Sequence, residues 1–196
     1  EKLIYKDIKL VNWDTKLKTA ISDLEVEQRE VQSNLYYIKY KIFNEDNYIT
    51  IATTRPETLI GDTAVAVNPH DDRYKNLVGK KIIVPVVERK VEIISDEYVS
   101  IEQGSGALKV TPAHDFNDFE IGKRHNLTSI NIFEKNGTIN KNAPQKYVGL
   151  DRFEARKEII NDLKSKGLVE KIENIKNVIP YGDRSNTIIE PLLTEQ

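Results

Sequence analysis

The sequence predicts a β-rich α+β fold, in which a closed or nearly closed β-barrel core carries peripheral helices at its edge. Segments rich in aromatic and β-branched residues recur along most of the chain, and turn signals separate them. Only a few segments have helical periodicity. An apolar fraction of 39% in 196 residues is enough for one good-sized domain with a real core.

The predicted strands begin near the N-terminus. Residues 1–30 form short strands and turns, including strands at 3–5 and 8–11. Residues 35–43 partly alternate between apolar and polar, as a half-buried strand does, and a turn leads into a second strand at 48–53. Further strands are expected at 63–67, 82–87, 91–94, 106–111 and 129–133. Asn136-Gly137 predicts a two-residue hairpin between 132–133 and 138–139.

Short helices are predicted at 71–77 and 116–125, and the clearest helix at 152–166. Asp151 is placed as the N-cap of this last helix, and Glu154 three residues on is close to a capping box. Gly167 stands where a left-handed residue ends a helix. The core-facing stripe of the helix consists of Phe153, Ile159, Ile160 and Leu163.

Composition excludes several classes of protein. The chain has no cysteine, which rules out a disulfide framework and a thiolate site and fits a reducing, cytoplasmic location. The apolar runs are too short to span a bilayer, and the N-terminus has no signal-peptide pattern. A net charge of −2 argues against a broadly basic nucleic-acid-binding protein, so a nucleic acid would contact the chain locally. The lack of methionine and the character of both ends predict an internal piece of a larger protein.

Two motifs carry the candidate site, namely residues 53–58 and residues 104–118. The second leaves an apolar strand through a Thr-Pro turn and enters a helix, which places a lysine, a histidine and two aspartates around one turn. No metal-ligand spacing or phosphate-binding P-loop accompanies them, so no metal and no cofactor are expected. The arrangement predicts recognition of a small, polar, cationic group.

Asp115 and Asp118 are three residues apart at a helix start, so they project within roughly 60° of one another. The structural alternative is that Asp115 is the N-cap and Asp118 interacts with the helix dipole. Because a helix N-terminus lowers the pKa of a carboxyl group, both are expected to be ionised at neutral pH. Such carboxylates suit the binding of an ammonium group or the orientation of a water molecule.

The other candidates have structural alternatives too. Lys109 is either a solvated strand end or a charge at the barrel mouth that neutralises a phosphate or the aspartates. His114 is either a general base or a structural or water-orienting residue. The guanidinium of Arg55, which follows Thr54, requires a phosphate or carboxylate partner. Thr58 and Thr111 offer hydroxyls to a polar ligand, whereas the glycines of 104–106 form a phosphate nest or permit close packing.

Together these segments resemble the editing domain of the valyl-tRNA synthetase family, the connective-peptide insertion that interrupts the catalytic nucleotide-binding fold. The matching segments are 53–58, 61–67, 110–118, 149–156 and 182–185, in collinear order over essentially the whole chain. The isoleucine and leucine enzymes fit less well. The signatures of the synthetic site are missing, so the chain is expected neither to activate amino acids nor to bind ATP, both of which belong to the complete ligase.

The resemblance implies hydrolysis of threonine wrongly esterified to tRNA(Val), with threonyl-adenylate left open as a further substrate. Valyl-tRNA synthetase is the standard example of an enzyme that needs a second, hydrolytic site, because its apolar synthetic pocket rejects the added hydroxyl of threonine only about 100-fold. The catalytic set is then Asp118, Lys109 and His114, and Asp118 binds the α-ammonium. Lys109, Thr111 and Asp115 line the pocket near the threonine hydroxyl.

The resemblance further implies that Arg55, with Thr54 and Thr58, positions the terminal adenosine and its ester. A held water is the nucleophile, assisted by a ribose hydroxyl. Gln103 departs from the family, which often has Phe at this position for stacking on adenine, whereas Gln can hydrogen-bond there instead.

The implied organisation has connecting strands at 1–33, the editing domain at 34–180 and a return segment at 181–196. The expected partners are the 3′ end of tRNA(Val) carrying threonine and the remainder of the synthetase chain, in a monomer without membrane contact. Two alternatives stay open at this point. One is a module that only docks the tRNA 3′ end, and the other is a free-standing editing factor, which the two chain ends argue against.

Overall fold

The structure, a computed structural model, describes residues 8–195. The predicted β-rich class is confirmed, with a sheet that is curled into a half-barrel rather than closed. The ten strands of the described part are β1 Ile8–Asp14, β2 Thr19–Ala20, β3 Val26–Ile42, β4 Tyr48–Thr53, β5 Ala64–Val67, β6 Lys81–Ile83, β7 Lys90–Ser95, β8 Ala107–Val110, β9 Val169–Gly182 and β10 Glu190–Glu195. The helices are α1 Phe116–Arg124 and α2 Arg152–Ser165, with 3-10 turns at Asp23–Glu25, Pro56–Gly61 and Lys75–Leu77.

Two sheets organise these strands. The large sheet has the order β4-β3-β6-β7-β5-β8, and β9 pairs with β3 outside this path. A small sheet has the order β10-β1-β2. All strand pairs are antiparallel except β5 with β7.

Strand β3 links the parts of the large sheet because different stretches of it pair with different neighbours. Its first part forms a long antiparallel ribbon with β9, and the pairing begins with Val26 opposite Gly182. Its last part pairs with β4 and β6. There Ile38, Tyr40 and Ile42 are buried while the lysines between them are more exposed, as the period of a strand requires.

The core lies between the half-barrel and α2. All four residues of β5 are buried on both faces of the sheet, which is typical of an apolar strand with a parallel neighbour. Helix α2 contributes Ile159, Ile160 and Leu163 to the same core cluster. No helix of residues 8–195 has the length and apolarity needed to cross a membrane.

The two main helices are confirmed, each ending one residue before the predicted end. Asp151 caps α2 by accepting a hydrogen bond from the backbone N–H of Phe153. Gly167 has the predicted left-handed conformation, with φ +67°. Instead of a helix over 71–77, the chain forms turns and a 3-10 turn over Lys75–Leu77.

Three strand predictions needed correction. The strand expected at 82–87 ends at Ile83, since Pro85 follows and Val86 has φ +73°. The segment 129–133 contributes only an isolated bridge between Phe133 and Ile139. The turn at Asn136-Gly137 begins at Glu134, whose carbonyl accepts from the N–H of Gly137 at 2.9 Å, so it is wider than a two-residue hairpin.

Strand β9 was not predicted from the sequence. Charged and amide residues come in pairs along it, separated by single apolar residues, and Pro180 lies within it. Ile172 and Val178 are 39% and 57% exposed. Its partner is the equally polar first half of β3, so the ribbon has little buried surface to leave a signal in the sequence. The strand expected at 3–5 lies outside the described residues, and the domain boundaries at 33 and 180 stay predictions.

Candidate functional site

A cavity of about 690 Å³ lies where the two predicted motifs meet. One wall is the end of β4 and the 3-10 turn that follows, and the other is β8 with the start of α1. The structure brings all of the predicted site residues to its lining: Thr54, Arg55, Thr58, Gln103, Lys109, Thr111, His114, Asp115 and Asp118. A second cavity of about 440 Å³ lies between α2 and the ribbon.

Asp115 fixes the start of α1 below this cavity. Its Oδ1 accepts hydrogen bonds from the backbone N–H groups of Asn117 at 2.8 Å and Asp118 at 3.1 Å. This is the predicted N-cap arrangement. The cap orients the first helical turn, so that Asp118 faces back towards the end of β8.

Asp118 is buried in this position, with 5% of its surface exposed. Its Oδ2 accepts the backbone N–H of Thr111 at 2.8 Å, and within residues 8–195 this is the one hydrogen bond that the carboxyl group accepts. Burial raises the pKa of Asp118 to about 7, even though the nearby Lys109 ammonium lowers it. At neutral pH this group is therefore only partly ionised, in contrast to the expectation from the helix N-terminus, because desolvation outweighs the helix dipole.

The floor of the cavity is a buried polar cluster around Lys109. Its Nζ donates to Thr111 Oγ1 at 2.5 Å and to Asp62 Oδ1 at 3.2 Å. Thr111 Oγ1 in turn donates to Asp62 Oδ1 at 2.6 Å. Lys109 is thus no solvated strand end, since its side chain is only 8% exposed, and the carboxylate it neutralises is Asp62.

Asp62 is the main residue that sequence reasoning missed. Its side chain is completely buried, and Tyr40 donates a further hydrogen bond to Oδ2 at 2.6 Å. Burial raises the pKa of Asp62, and the ammonium of Lys109 opposes this effect. The signal was an acidic residue placed directly between a buried 3-10 turn and the apolar strand β5, where a charge needs a partner.

Arg55 closes the cavity wall through a network of carboxylates. Its Nη2 contacts the carboxylate of Glu190, its Nε lies 3.5 Å from Glu57, and its Nη1 donates to the backbone carbonyl of His114 at 3.0 Å. Glu57 also accepts two hydrogen bonds from Arg156, both at 2.7 Å. Of the two partners expected for this guanidinium, the folded chain itself supplies the carboxylate.

His114 borders the cavity, but its ring is buried in the wall. It is 1% exposed, its Nε2 accepts the backbone N–H of Ile132 at 3.0 Å, and its ring packs edge-on against Phe133. Burial, with the charges of Arg55 and Lys109, lowers the pKa of His114 well below its usual value. A neutral ring with an occupied acceptor nitrogen does not fit a general base, so the structural alternative accounts for this histidine.

The remaining predicted residues, Thr54, Thr58 and Gln103, also line the cavity. Thr58 donates its hydroxyl to the carbonyl of Arg55 at 2.9 Å. Thr54 is half-buried, and Gln103 is exposed at the rim. Tyr98, which the sequence did not single out, lines the same rim with 54% of its surface exposed.

The glycines of the rim loop serve close packing. Gly106 has φ +78°, and a Cβ there would come within 2.2 Å of Arg73 Nη2. Its N–H is used within the loop by the carbonyl of Gln103. The close-packing alternative therefore explains this segment better than a phosphate nest.

Within residues 8–195, no group of three or more histidine and acidic side chains is placed to hold a metal ion. Lys109 and Arg55 instead pair with buried carboxylates. The arrangement can bind an ammonium group at Asp118, recognise a hydroxyl at the floor and hold a water molecule between them.

Comparisons with known proteins identify the fold and the family. The model of the family "Leucyl-tRNA synthetase, editing domain" matches residues 76–177. A leucyl-tRNA synthetase of Agrobacterium radiobacter, solved in a ternary complex with tRNA and LeuAMS, shares the fold. Its TM-score is 0.56 at 15% sequence identity, over 89% of this chain and 30% of that chain.

Valine–tRNA ligases are similar to this chain over its full length. Those of Pelagibacter ubique and Legionella pneumophila are 68% and 55% identical to it, over 99% and 100% of the chain. The chain spans only 22% and 21% of the lengths of these two relatives. The resemblance to the valyl-tRNA synthetase editing domain is thereby confirmed, and the chain belongs to the editing-domain family of the aminoacyl-tRNA synthetases.

Proposed function

We propose that this chain acts as the proofreading segment of a valine–tRNA ligase and hydrolyses threonine mischarged onto tRNA(Val). The reaction consumes water at the aminoacyl ester, releases threonine and restores the 3′-terminal ribose hydroxyl. The observation that carries the proposal is the buried Lys109–Thr111–Asp62 cluster at the floor of the cavity, beside the carboxylate of Asp118.

Asp118 supports recognition of the amino acid's α-ammonium. One carboxylate oxygen is held by the backbone of Thr111, which leaves the other for the ligand. An approaching cation stabilises the ionised form of a carboxyl group whose free pKa is about 7. The ion pair forms at low exposure, where a charge-assisted hydrogen bond is stronger than on the surface.

The floor supports selection for a side-chain hydroxyl. Valine and threonine have nearly the same shape, so shape alone does not separate them. A valyl side chain would leave buried donors of the Lys109 cluster without a partner, which costs about 1–3 kcal/mol. The cavity thus favours the amino acid that a synthetic valine pocket fails to exclude.

The wall residues support placement of the terminal nucleoside. Arg55 retains exposed surface in the cavity although three protein groups hold it, and Thr54 and Gln103 offer further polar contacts towards the rim. A water held near Asp118 is the proposed nucleophile, and the substrate's ribose hydroxyl assists it. His114 has no part in this proposal beyond supporting the fold of the wall.

The test is a side-by-side deacylation assay of Thr-tRNA(Val) and Val-tRNA(Val) with the wild-type chain and Asp118→Asn. We expect rapid hydrolysis of the threonyl ester only, and its loss in the variant. Calorimetry with non-hydrolysable threonyl- and valyl-adenosine analogues should give tighter threonyl binding. Threonyl binding without any hydrolysis would leave the docking alternative instead, and equal hydrolysis of both esters would refute the selectivity for threonine.

A further inference from the structure

The carboxylate of Asp62 connects three elements of the fold. It lies directly after the 3-10 turn Pro56–Gly61, with its side chain completely buried. It accepts hydrogen bonds from Tyr40 on β3, from Lys109 on β8 and from Thr111 just beyond β8. Tyr40 lies on the core side, whereas Lys109 and Thr111 line the cavity.

These contacts determine the direction of every hydrogen bond at the cavity floor. A lysine ammonium only donates, so the oxygen of Thr111 is the acceptor in its contact with Lys109. An ionised carboxylate only accepts, so the hydroxyl proton of Thr111 points to Asp62. Thr111 therefore faces the cavity as an acceptor alone, and Lys109 keeps one of its three N–H groups for a ligand.

We infer that Asp62 is a positioning residue that sets the specificity of the site for a side-chain hydroxyl. By holding Lys109 and Thr111 in these orientations, it gives the floor one free donor and one free acceptor. A hydroxyl both donates and accepts, and therefore satisfies the two together, whereas a methyl group satisfies neither. The inference rests on the proposed function and adds that a residue without ligand contact decides the preference.

Asp62→Asn tests this role. The amide can donate to Thr111, which frees the threonine hydroxyl to rotate, and it removes the charge that holds the ammonium of Lys109. We expect the ratio of threonyl to valyl affinity to fall about tenfold or more, which corresponds to the loss of a hydrogen bond to a charged group. The measurement is calorimetric titration of the folded chain with non-hydrolysable threonyl- and valyl-adenosine analogues.

Tyr40→Phe is the matched control. It removes a hydrogen bond to the same carboxylate from the core side and leaves both cavity contacts in place. We expect a lower melting temperature and an affinity ratio unchanged within about twofold, since the floor keeps its donor and acceptor. Asp62→Asn with an unchanged ratio, or Tyr40→Phe with an equal loss of selectivity, would overturn the inference.

A second variant keeps the test decisive if Asp62→Asn gives no cooperative melting transition. Asp62→Glu retains the charge but moves the carboxylate by about one methylene, and a displacement of about 1 Å can cost as much as 100-fold at such a site. A folded Asp62→Glu chain should also lose selectivity for the threonyl analogue, and full selectivity would refute the inference. If the wild-type chain itself does not distinguish the analogues, the proposed function fails first.

Discussion

At the scale of single residues, Asp118 shows two local effects in competition. Its place in the first turn of α1 favours the ionised form, and its burial favours the neutral form. Burial prevails and raises the pKa to about 7. The group therefore changes its charge close to physiological pH, which gives the site a measurable pH dependence.

We predict that binding of a threonyl-adenosine analogue releases a proton from Asp118. The free group is partly protonated near pH 7, and the ligand's ammonium selects the ionised form. Affinity should rise between about pH 6 and 7.5, below the range in which an α-amine itself loses its proton. Calorimetry in two buffers of different ionisation enthalpy counts the released protons. No release in the wild-type chain, or the same release in Asp118→Asn, would contradict the role of Asp118.

The stability of the folded chain should also depend on Asp118, but it should fall as pH rises, whereas ligand affinity should increase. A carboxyl group whose folded pKa lies above its unfolded value contributes stability that is lost as pH rises through the folded pKa, here about 7. Asp118→Asn keeps an acceptor for the N–H of Thr111 and removes the charge. The melting temperature of Asp118→Asn should therefore increase relative to that of the wild type between pH 5 and pH 8.

Asp118→Ala is the contrasting variant for this prediction. It leaves the buried N–H of Thr111 without an acceptor and should be about 1–3 kcal/mol less stable than Asp118→Asn at every pH in that range, since neither variant titrates there. Loss of the N–H acceptor is more costly than loss of a dipole interaction alone, for which about 0.3–1 kcal/mol would be expected. A pH-independent difference between Asp118→Asn and the wild type would show that the group is not titrating near 7.

At the scale of elements, the 3-10 turn Pro56–Gly61 is tied to α2 by a buried ion pair. Glu57 is completely buried and accepts both hydrogen bonds of the Arg156 guanidinium. Because Arg55 lies one residue before this turn, the pair also fixes the wall of the cavity.

We predict that Arg156→Met lowers the free energy of unfolding by about 3 kcal/mol, since it leaves the buried Glu57 with only the longer, 3.5 Å contact to Arg55. Lys123→Met is the matched control, because it removes an exposed pair with Glu120 and should cost less than about 1 kcal/mol. Urea denaturation of both variants provides the comparison. Equal effects of the two substitutions would mean that the Glu57 pair does not stabilise the joint between turn and helix.

The end of α2 allows a test of backbone conformation alone. Gly167 has φ +67°, and a Cβ at this position would meet no atom within 4 Å. Gly167→Ala should therefore cost about 1 kcal/mol from the left-handed conformation itself. Lys166→Ala, at the neighbouring right-handed residue, should stay within about 0.5 kcal/mol of the wild type. Thermal unfolding distinguishes them, and a neutral Gly167→Ala would show that this turn relaxes.

At the scale of the whole molecule, the charge of the chain limits how strongly it binds tRNA by itself. A net charge of −2 gives no general attraction for a phosphate backbone, and the cationic groups of the cavity wall are paired with carboxylates. Under the proposed function we therefore expect the chain to contact only the end of the acceptor strand. We expect the rest of the affinity for tRNA to come from other parts of a ligase.

We predict that the 196-residue chain deacylates Thr-tRNA(Val) with a high KM and an undiminished kcat. The comparison is a full-length valine–tRNA ligase in which this segment replaces the native one. We expect few phosphates to contact the chain, so log kcat/KM should fall with log salt with a slope of only about −1 to −2. A kcat that falls with KM unchanged would mean that the missing parts assemble the catalytic geometry rather than supply affinity.

The sequence by itself determined the elements that depend on local pattern. The alternation around Ile38 and Tyr40 predicted the central strand, and Asp151 with Gly167 predicted the two ends of α2. Both predictions succeeded because helix caps and strand periodicity depend on residues that are close in sequence. The motif segments gave the family and the lining of the cavity, since those residues lie close together within each motif.

Tertiary structure alone decided which charges meet and how far they are removed from water. Asp62 reaches Lys109 across 47 positions of the chain, and Arg55 reaches Glu190 across 135, so no local pattern could pair them. The protonation of Asp118 and the neutrality of His114 depend on burial by distant segments. The exposed β3/β9 ribbon likewise exists because two polar strands satisfy each other's backbone, which amphipathic patterning does not reveal.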